Sequence, residues 1–84
     1  MENNVQETEP NRDLTFGEKA VGLSFNPSGD SKVNEVKELY AKIIDLMDQL
    51  RNPGSTPDAM RLASVAITEA QTAQMWAVKA ITWR

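Results

Sequence analysis

Apolar residues recur at gaps of three and four along two stretches of this 84-residue chain. In the first stretch they are Val33, Val36, Leu39, Tyr40, Ile43, Ile44, Leu46, Met47 and Leu50. This spacing is typical of an amphipathic helix, and it predicts a helix from about residue 32 to residue 51. Charged residues such as Lys32, Lys42 and Asp48 fit the solvent side of that helix.

The second stretch has an alanine at every third or fourth position, namely Ala59, Ala63, Ala66, Ala70, Ala73, Ala77 and Ala80. Alanine is the best helix former, and its small side chain lets another backbone come close. We predict a helix from about residue 57 to residue 82 with these alanines in one seam. Larger apolar residues, including Trp76 and Trp83, flank the seam on more than one side, so the helix needs more than one partner surface. We therefore expect a homo-oligomer.

Turn residues separate these two stretches and precede the first. Thr56 suits a helix N-cap and Pro57 suits the first helical position, after the breaker at 52–55. So short a connection predicts an antiparallel helical hairpin and an all-α fold. Residues 25–30 predict a turn, with Asp30 or Ser31 as the next cap. Before it lies a short helix or an irregular segment that packs on the hairpin.

Charge divides the chain into a tail and one domain. Residues 1–12 are predicted to be a disordered acidic tail, and 13–84 a single helical-hairpin domain. From Lys19 onward there are seven acids and eight bases, so no basic stripe points to DNA. The chain has no run of about eighteen apolar residues, so the sequence predicts no membrane span.

Catalytic chemistry has little support in the composition. The chain has no cysteine and no histidine, which excludes thiolate and Ser/His/Asp catalysis and the usual zinc sites. No glycine-rich phosphate loop is present. We expect no enzyme activity, no cofactor and no metal.

Ligand binding is the better-supported chemistry, with an ordinary structural alternative at each position. Phe25, before a helix N-terminus, could stack on a base or could simply close the helix start as a hydrophobic staple. Arg61, Thr68 and Gln71 fall on a polar line of the second helix that could hold phosphates, or that is only an exposed stripe. Lys37, taken alone, would be a solvated lysine.

Several segments together resemble one family. They are the Phe25–Gly29 turn, Val33 with Val36 and Lys37, residues 61–63 and 66–70, and the Met-Trp-Ala-Val-Lys-Ala run at 75–80. These resemble the helical hairpin of phage anti-CBASS cyclic-nucleotide sponges and the related hairpin of anti-Thoeris sponges, over about residues 11–83.

The resemblance implies a protein that sequesters immune messengers in the cytoplasm of an infected bacterium and does not cleave them. It implies cyclic dinucleotides such as cyclic GMP-AMP, held between paired protomers of a hexamer, as the first ligands. Cyclic trinucleotides are a second class, bound where three protomers meet. The alternative is a helical hairpin that inhibits a host protein directly.

Residues carry over from the family one by one. Arg12 matches the arginine of a tyrosine-arginine pair whose tyrosine is Asn11 here, and Phe25 is the candidate replacement for stacking. Lys37 matches the lysine of an isoleucine-lysine pair, which implies a phosphate contact. Thr68 matches a threonine whose preceding arginine is Ile67 here, and Arg61 could supply the missing charge. The predicted ligand-binding residues are Arg12, Phe25, Asn26, Pro27, Ser28, Gly29, Lys37, Arg61, Thr68 and Gln71.

Overall fold

A computed structural model describes residues 13–84, and it contains three helices in that range: α1 (Phe16–Ala20), α2 (Ser31–Gln49) and α3 (Pro57–Ile81). Helices α2 and α3 pack against each other, and α1 packs on α2. No strand occurs in this part of the chain. The predicted all-α hairpin is therefore confirmed, and both long helices end one or two residues earlier than predicted.

Each helix begins at a side chain that caps its first turn. Asp30 Oδ1 accepts a hydrogen bond from the Lys32 amide at 2.8 Å, so the cap of α2 is Asp30 and not Ser31. Thr56 caps α3 as predicted, with Pro57 at the first helical position. The segment left open by the sequence is helical at α1, where Thr15 and Glu18 form a reciprocal capping box.

Helix α1 is held on α2 by a glycine contact. The Gly17 amide donates to Asp45 Oδ1 at 2.7 Å, and a Cβ on Gly17 would lie 2.1 Å from the Ala41 carbonyl oxygen. Only glycine permits this approach. At the other end of α1, the Gln71 side chain donates to the Ala20 carbonyl oxygen at 3.3 Å, which ties α1 to α3 as well. Helix α1 is thus tied to both helices of the hairpin.

The core inside the hairpin is small. Its buried apolar residues are Val21, Val33, Ala41, Ile44, Ala63 and Ile67. Two polar residues, Lys37 and Gln74, are buried with them. The predicted alanine seam divides, since Ala63 faces the core whereas Ala73 and Ala80 are exposed. The alanines therefore do not form a single contact surface within one copy of the chain.

The molecule is a thin plate, with Cα extents of 44 × 34 × 12 Å. Because the plate is this thin, apolar side chains that α1 does not cover remain exposed. Among them are Leu39, Leu46, Leu62, Met75, Trp76 and Trp83. In the range 13–84, no helix combines the length and apolar character that a membrane span requires.

Candidate functional site

A cavity of about 240 Å³ lies where the start of α2 meets the end of α3. Its walls are Phe25, Asn26, Pro27, Ser28, Val33, Lys37, Val78 and Thr82. Five of these, Phe25 to Ser28 and Lys37, were predicted as ligand-binding residues from the sequence. The structure therefore brings half of the predicted set together around one cavity.

Of the residues that the structure describes, Lys37 is the only charged one that lines this cavity. It is 6% exposed, which rules out the solvated lysine that its position in the sequence suggested. Its ammonium group donates to the Gly22 carbonyl oxygen at 3.0 Å and to the Phe25 carbonyl oxygen. An ammonium group has three donors, so one N–H remains for a ligand. Burial away from water lowers the pKa of Lys37 from its ordinary value of 10.5.

Phe25 places an aromatic ring beside this ammonium group. The ring is 70% exposed, and its centroid lies 5.6 Å from Lys37 Nζ. A hydrophobic staple would be covered by the helix it closes, so this exposure favours the stacking interpretation. An exposed ring next to one buried cation can stack a planar base while the cation holds a phosphate.

Hydrogen bonds within the turn fix the backbone that carries Phe25. The Asn26 amide group donates to the Asp30 carbonyl oxygen at 3.0 Å, and the Ser28 hydroxyl donates to Asn26 Oδ1 at 2.6 Å. Gly29 has φ of 69°, a conformation that glycine adopts easily. The polar groups of Asn26 and Ser28 thus shape the turn, and Gly29 shapes it without lining the cavity.

The predicted residues of α3 lie away from this cavity. Thr68 is ten residues before Val78, about 15 Å along the helix, and Arg61 is farther still. Both side chains are exposed, whereas Gln71 is half-buried and bonded to Ala20. Arg12 lies outside the described residues. One copy of the chain therefore does not unite Arg61, Thr68 and Gln71 with the cavity.

Three cavity residues were missed by the sequence analysis: Val33, Val78 and Thr82. The hairpin topology was the signal that could have found them, because an antiparallel partner brings the end of α3 beside the start of α2. Thr82 closes α3, with its hydroxyl bonded to the Val78 carbonyl oxygen at 2.8 Å. The contribution of α3 to the cavity is therefore largely apolar.

A second cavity, of about 290 Å³, lies between α1 and α2 and has the opposite charge. Glu18, Glu38 and Asp45 line it with Lys42 as the single cation. Three carboxylates would repel a phosphate, so this cavity is the poorer candidate for an anionic ligand. Within residues 13–84, no cluster of metal-ligating side chains accompanies either cavity.

The fold and the first cavity together define a small helical hairpin suited to an anionic ligand with a planar ring. The sequence matches the family described as Acb2/Tad1, hairpin domain, over residues 18–82. The chain belongs to this family, which confirms the resemblance and supports a phage sponge-type role in counteracting host defence. Neither the comparison with curated proteins nor that with solved structures found a match.

Proposed function

We propose that this chain binds cyclic dinucleotides, such as cyclic GMP-AMP, in the cavity at Phe25 and Lys37. It would sequester them intact in the cytoplasm of the infected bacterium, so that CBASS effectors are not activated. The observation that carries the proposal is the buried Lys37 ammonium group, 5.6 Å from the exposed Phe25 ring.

The chemistry of the cavity matches the two parts of such a ligand. A phosphate diester carries one negative charge, which a partly desolvated ammonium group binds more strongly than a solvated one. A nucleobase offers a flat face, and the Phe25 ring is the exposed aromatic surface nearest to that charge. Val33 and Val78 give the cavity apolar walls beside these two groups.

The cavity is small for a whole cyclic dinucleotide. Pockets for drug-sized ligands have volumes of about 300–1,000 Å³, and this one has about 240 Å³. A second copy of the chain that brings its own Phe25 and Lys37 would complete the enclosure. The exposed apolar surface of the plate supports such self-association, and the hexamer implied by the family resemblance is the assembly we propose.

Binding without cleavage fits the side chains around the cavity. A hydrolase would need a group that activates water or the ribose hydroxyl. Among residues 13–84, the lining of the cavity contains no carboxylate, and its one ionisable group, Lys37, is bonded to two carbonyl oxygens. Retention of the messenger is the chemistry that these groups support.

A separate trinucleotide site at Thr68, with Arg61 supplying the charge, remains a prediction from the family resemblance. Arg61 and Thr68 are seven residues apart and therefore share one face of α3, where both are exposed. The resemblance implies that a cyclic trinucleotide binds there where copies of the chain meet.

Direct inhibition of a host protein is the second candidate, and the exposed apolar side chains of α2 and α3 favour it. Isothermal titration calorimetry distinguishes the two. If the chain is a sponge, titration with cyclic GMP-AMP should give saturable heat and titration with the linear dinucleotide should give none. Titration with cyclic triadenylate tests the trinucleotide site. No heat with any cyclic nucleotide, together with stoichiometric capture of one host protein, would overturn the sponge and support the inhibitor.

A further inference from the structure

Helix α3 carries a second row of side chains that the hairpin does not cover, which we call the outer seam. Its members recur at gaps of four and three: Leu62, Ala66, Glu69, Ala73, Trp76 and Ala80. Trp83 follows just past the end of α3. All are exposed except Ala66, which is half-buried. Gaps of four and three are those of a helix that packs lengthwise against another helix.

Large and small residues alternate along the outer seam. Trp76 and Trp83 are 66% and 70% exposed, although indoles are the side chains with most to gain from burial. Ala73 and Ala80 lie beside them and leave room for a large partner group. A surface with both knobs and hollows is complementary to itself, and a second copy of the chain can therefore cover it.

Charges on the outer seam decide the direction of packing. Lys79, next to the seam, has its ammonium group 5.9 Å from the Trp76 ring centroid and 5.6 Å from that of Trp83. Glu69 is ten residues earlier and exposed. A parallel pair would set Lys79 against the partner's Lys79 and indole against indole. An antiparallel pair sets Glu69 near the partner's Lys79 and the Trp76 indole against an alanine.

We infer that two copies of α3 pack antiparallel along their outer seams, about a two-fold axis that crosses each helix between Gln74 and Met75. In this register Trp76 lies opposite the partner's Ala73. Glu69 lies within one residue of the partner's Lys79. The inference rests on the self-association included in the proposed function, but not on nucleotide binding.

Single cysteine variants test the register cleanly because the chain has no cysteine of its own. Under mild oxidation Ala73→Cys should form a disulfide-linked dimer, since the two positions are separated by about 4.5 Å along the axis, within reach of a disulfide. Ala59→Cys is the matched control on the same side of α3. In the antiparallel register its two copies are about 46 Å apart along the axis, so it should stay monomeric on a non-reducing gel.

Charge reversal gives an independent readout of the same register. Lys79→Glu should raise the dissociation constant between copies at least about tenfold in sedimentation equilibrium, because it opposes two carboxylates. Adding Glu69→Lys to this variant should restore the dissociation constant to within about threefold of that of the unaltered chain. Lys42→Glu, an exposed lysine on α2, should leave it unchanged.

Cross-linking at Ala73 with none at Ala59, together with rescue by the double reversal, would support the inference. Cross-linking of both variants would indicate parallel helices and overturn it. It would also be overturned by a monomeric chain, or by a folded Ala73→Cys that does not cross-link. The readouts involve no nucleotide, so the register can stand if the sponge proposal fails, and nucleotide binding can stand if the register fails.

Discussion

At the residue scale, Lys37 shows how far a sequence alone can identify a site. Its resemblance to a family lysine made it a candidate, and its position in an amphipathic helix gave no sign of burial. The structure adds the reason for its burial: the ammonium group holds the Gly22 and Phe25 carbonyl oxygens. Those contacts span 15 and 12 residues, so helical periodicity could not reveal them. Lys37 therefore both positions the turn and presents a charge to the cavity.

Lys37→Met removes the charge and keeps most of the apolar stem. We expect two effects, because two carbonyl oxygens lose their partner and the phosphate loses its cation. The free energy of unfolding should fall by about 1–3 kcal/mol, and binding of cyclic GMP-AMP should weaken by about 1.5–3 kcal/mol. Urea denaturation measures the free energy of unfolding, and calorimetry measures the binding of cyclic GMP-AMP.

Lys32→Met is the matched control, because Lys32 is an exposed lysine in the same helix. Its stability and affinity should both stay within about 0.5 kcal/mol of the unaltered chain. Equal behaviour of the two variants in calorimetry would contradict the role of Lys37 in binding.

The lowered pKa of Lys37 predicts a pH dependence with a definite sign. Binding needs the ammonium form, so affinity for a cyclic dinucleotide should fall as pH rises, and the fall should begin below pH 10.5. The free energy of unfolding responds in the opposite sense. Between the lowered pKa of Lys37 in the folded chain and its pKa in the unfolded chain, the unfolded chain binds more protons. The contribution of Lys37 to the free energy of unfolding therefore increases as pH rises through this window. Calorimetry from pH 7 to 10 checks the first effect, and Lys37→Met should lack that step.

At the element scale, the two long helices and their caps were predictable from the sequence because local signals agree. Thr56 and Pro57 mark the start of α3, and the apolar spacing marks its course. Helix α1 was less predictable, since it has only five residues and depends on tertiary contacts. Its Thr15–Glu18 capping box was present in the sequence, but the contact of Gly17 with Ala41 joins residues far apart in the chain.

Gly17→Ala should separate α1 from α2. The added Cβ would lie 2.1 Å from the Ala41 carbonyl oxygen, so one helix must move and the 2.7 Å bond to Asp45 is strained or lost. We expect a loss of about 1–3 kcal/mol in the free energy of unfolding, measured by urea denaturation. In Gly54→Ala the nearest atom is a side-chain oxygen of Asn52 at 3.2 Å, so that control should change little. Equal losses in both variants would contradict the close contact.

At the scale of the whole molecule, the thin plate leaves apolar surface for the self-association that we propose. Its 12 Å thickness leaves apolar side chains of α2 and α3 uncovered, and the cavity at Lys37 opens at one end of the hairpin. The sequence predicted that a helix with several apolar sides needs more than one partner surface, and the homo-oligomer expected from it stays a prediction. The location of the cavity could not be predicted from the sequence, because Val78 and Thr82 come beside Phe25 only when the hairpin forms.

Recovery of the messenger after binding tests the central claim most directly. The protein is mixed with an equimolar amount of cyclic GMP-AMP, the free ligand is removed by filtration, and the retained protein is denatured. Chromatography should then recover the cyclic dinucleotide intact and in stoichiometric amount, with much less retained by Lys37→Met than by Lys32→Met. Passage of the messenger through the filter, or recovery of a linear product, would contradict the account.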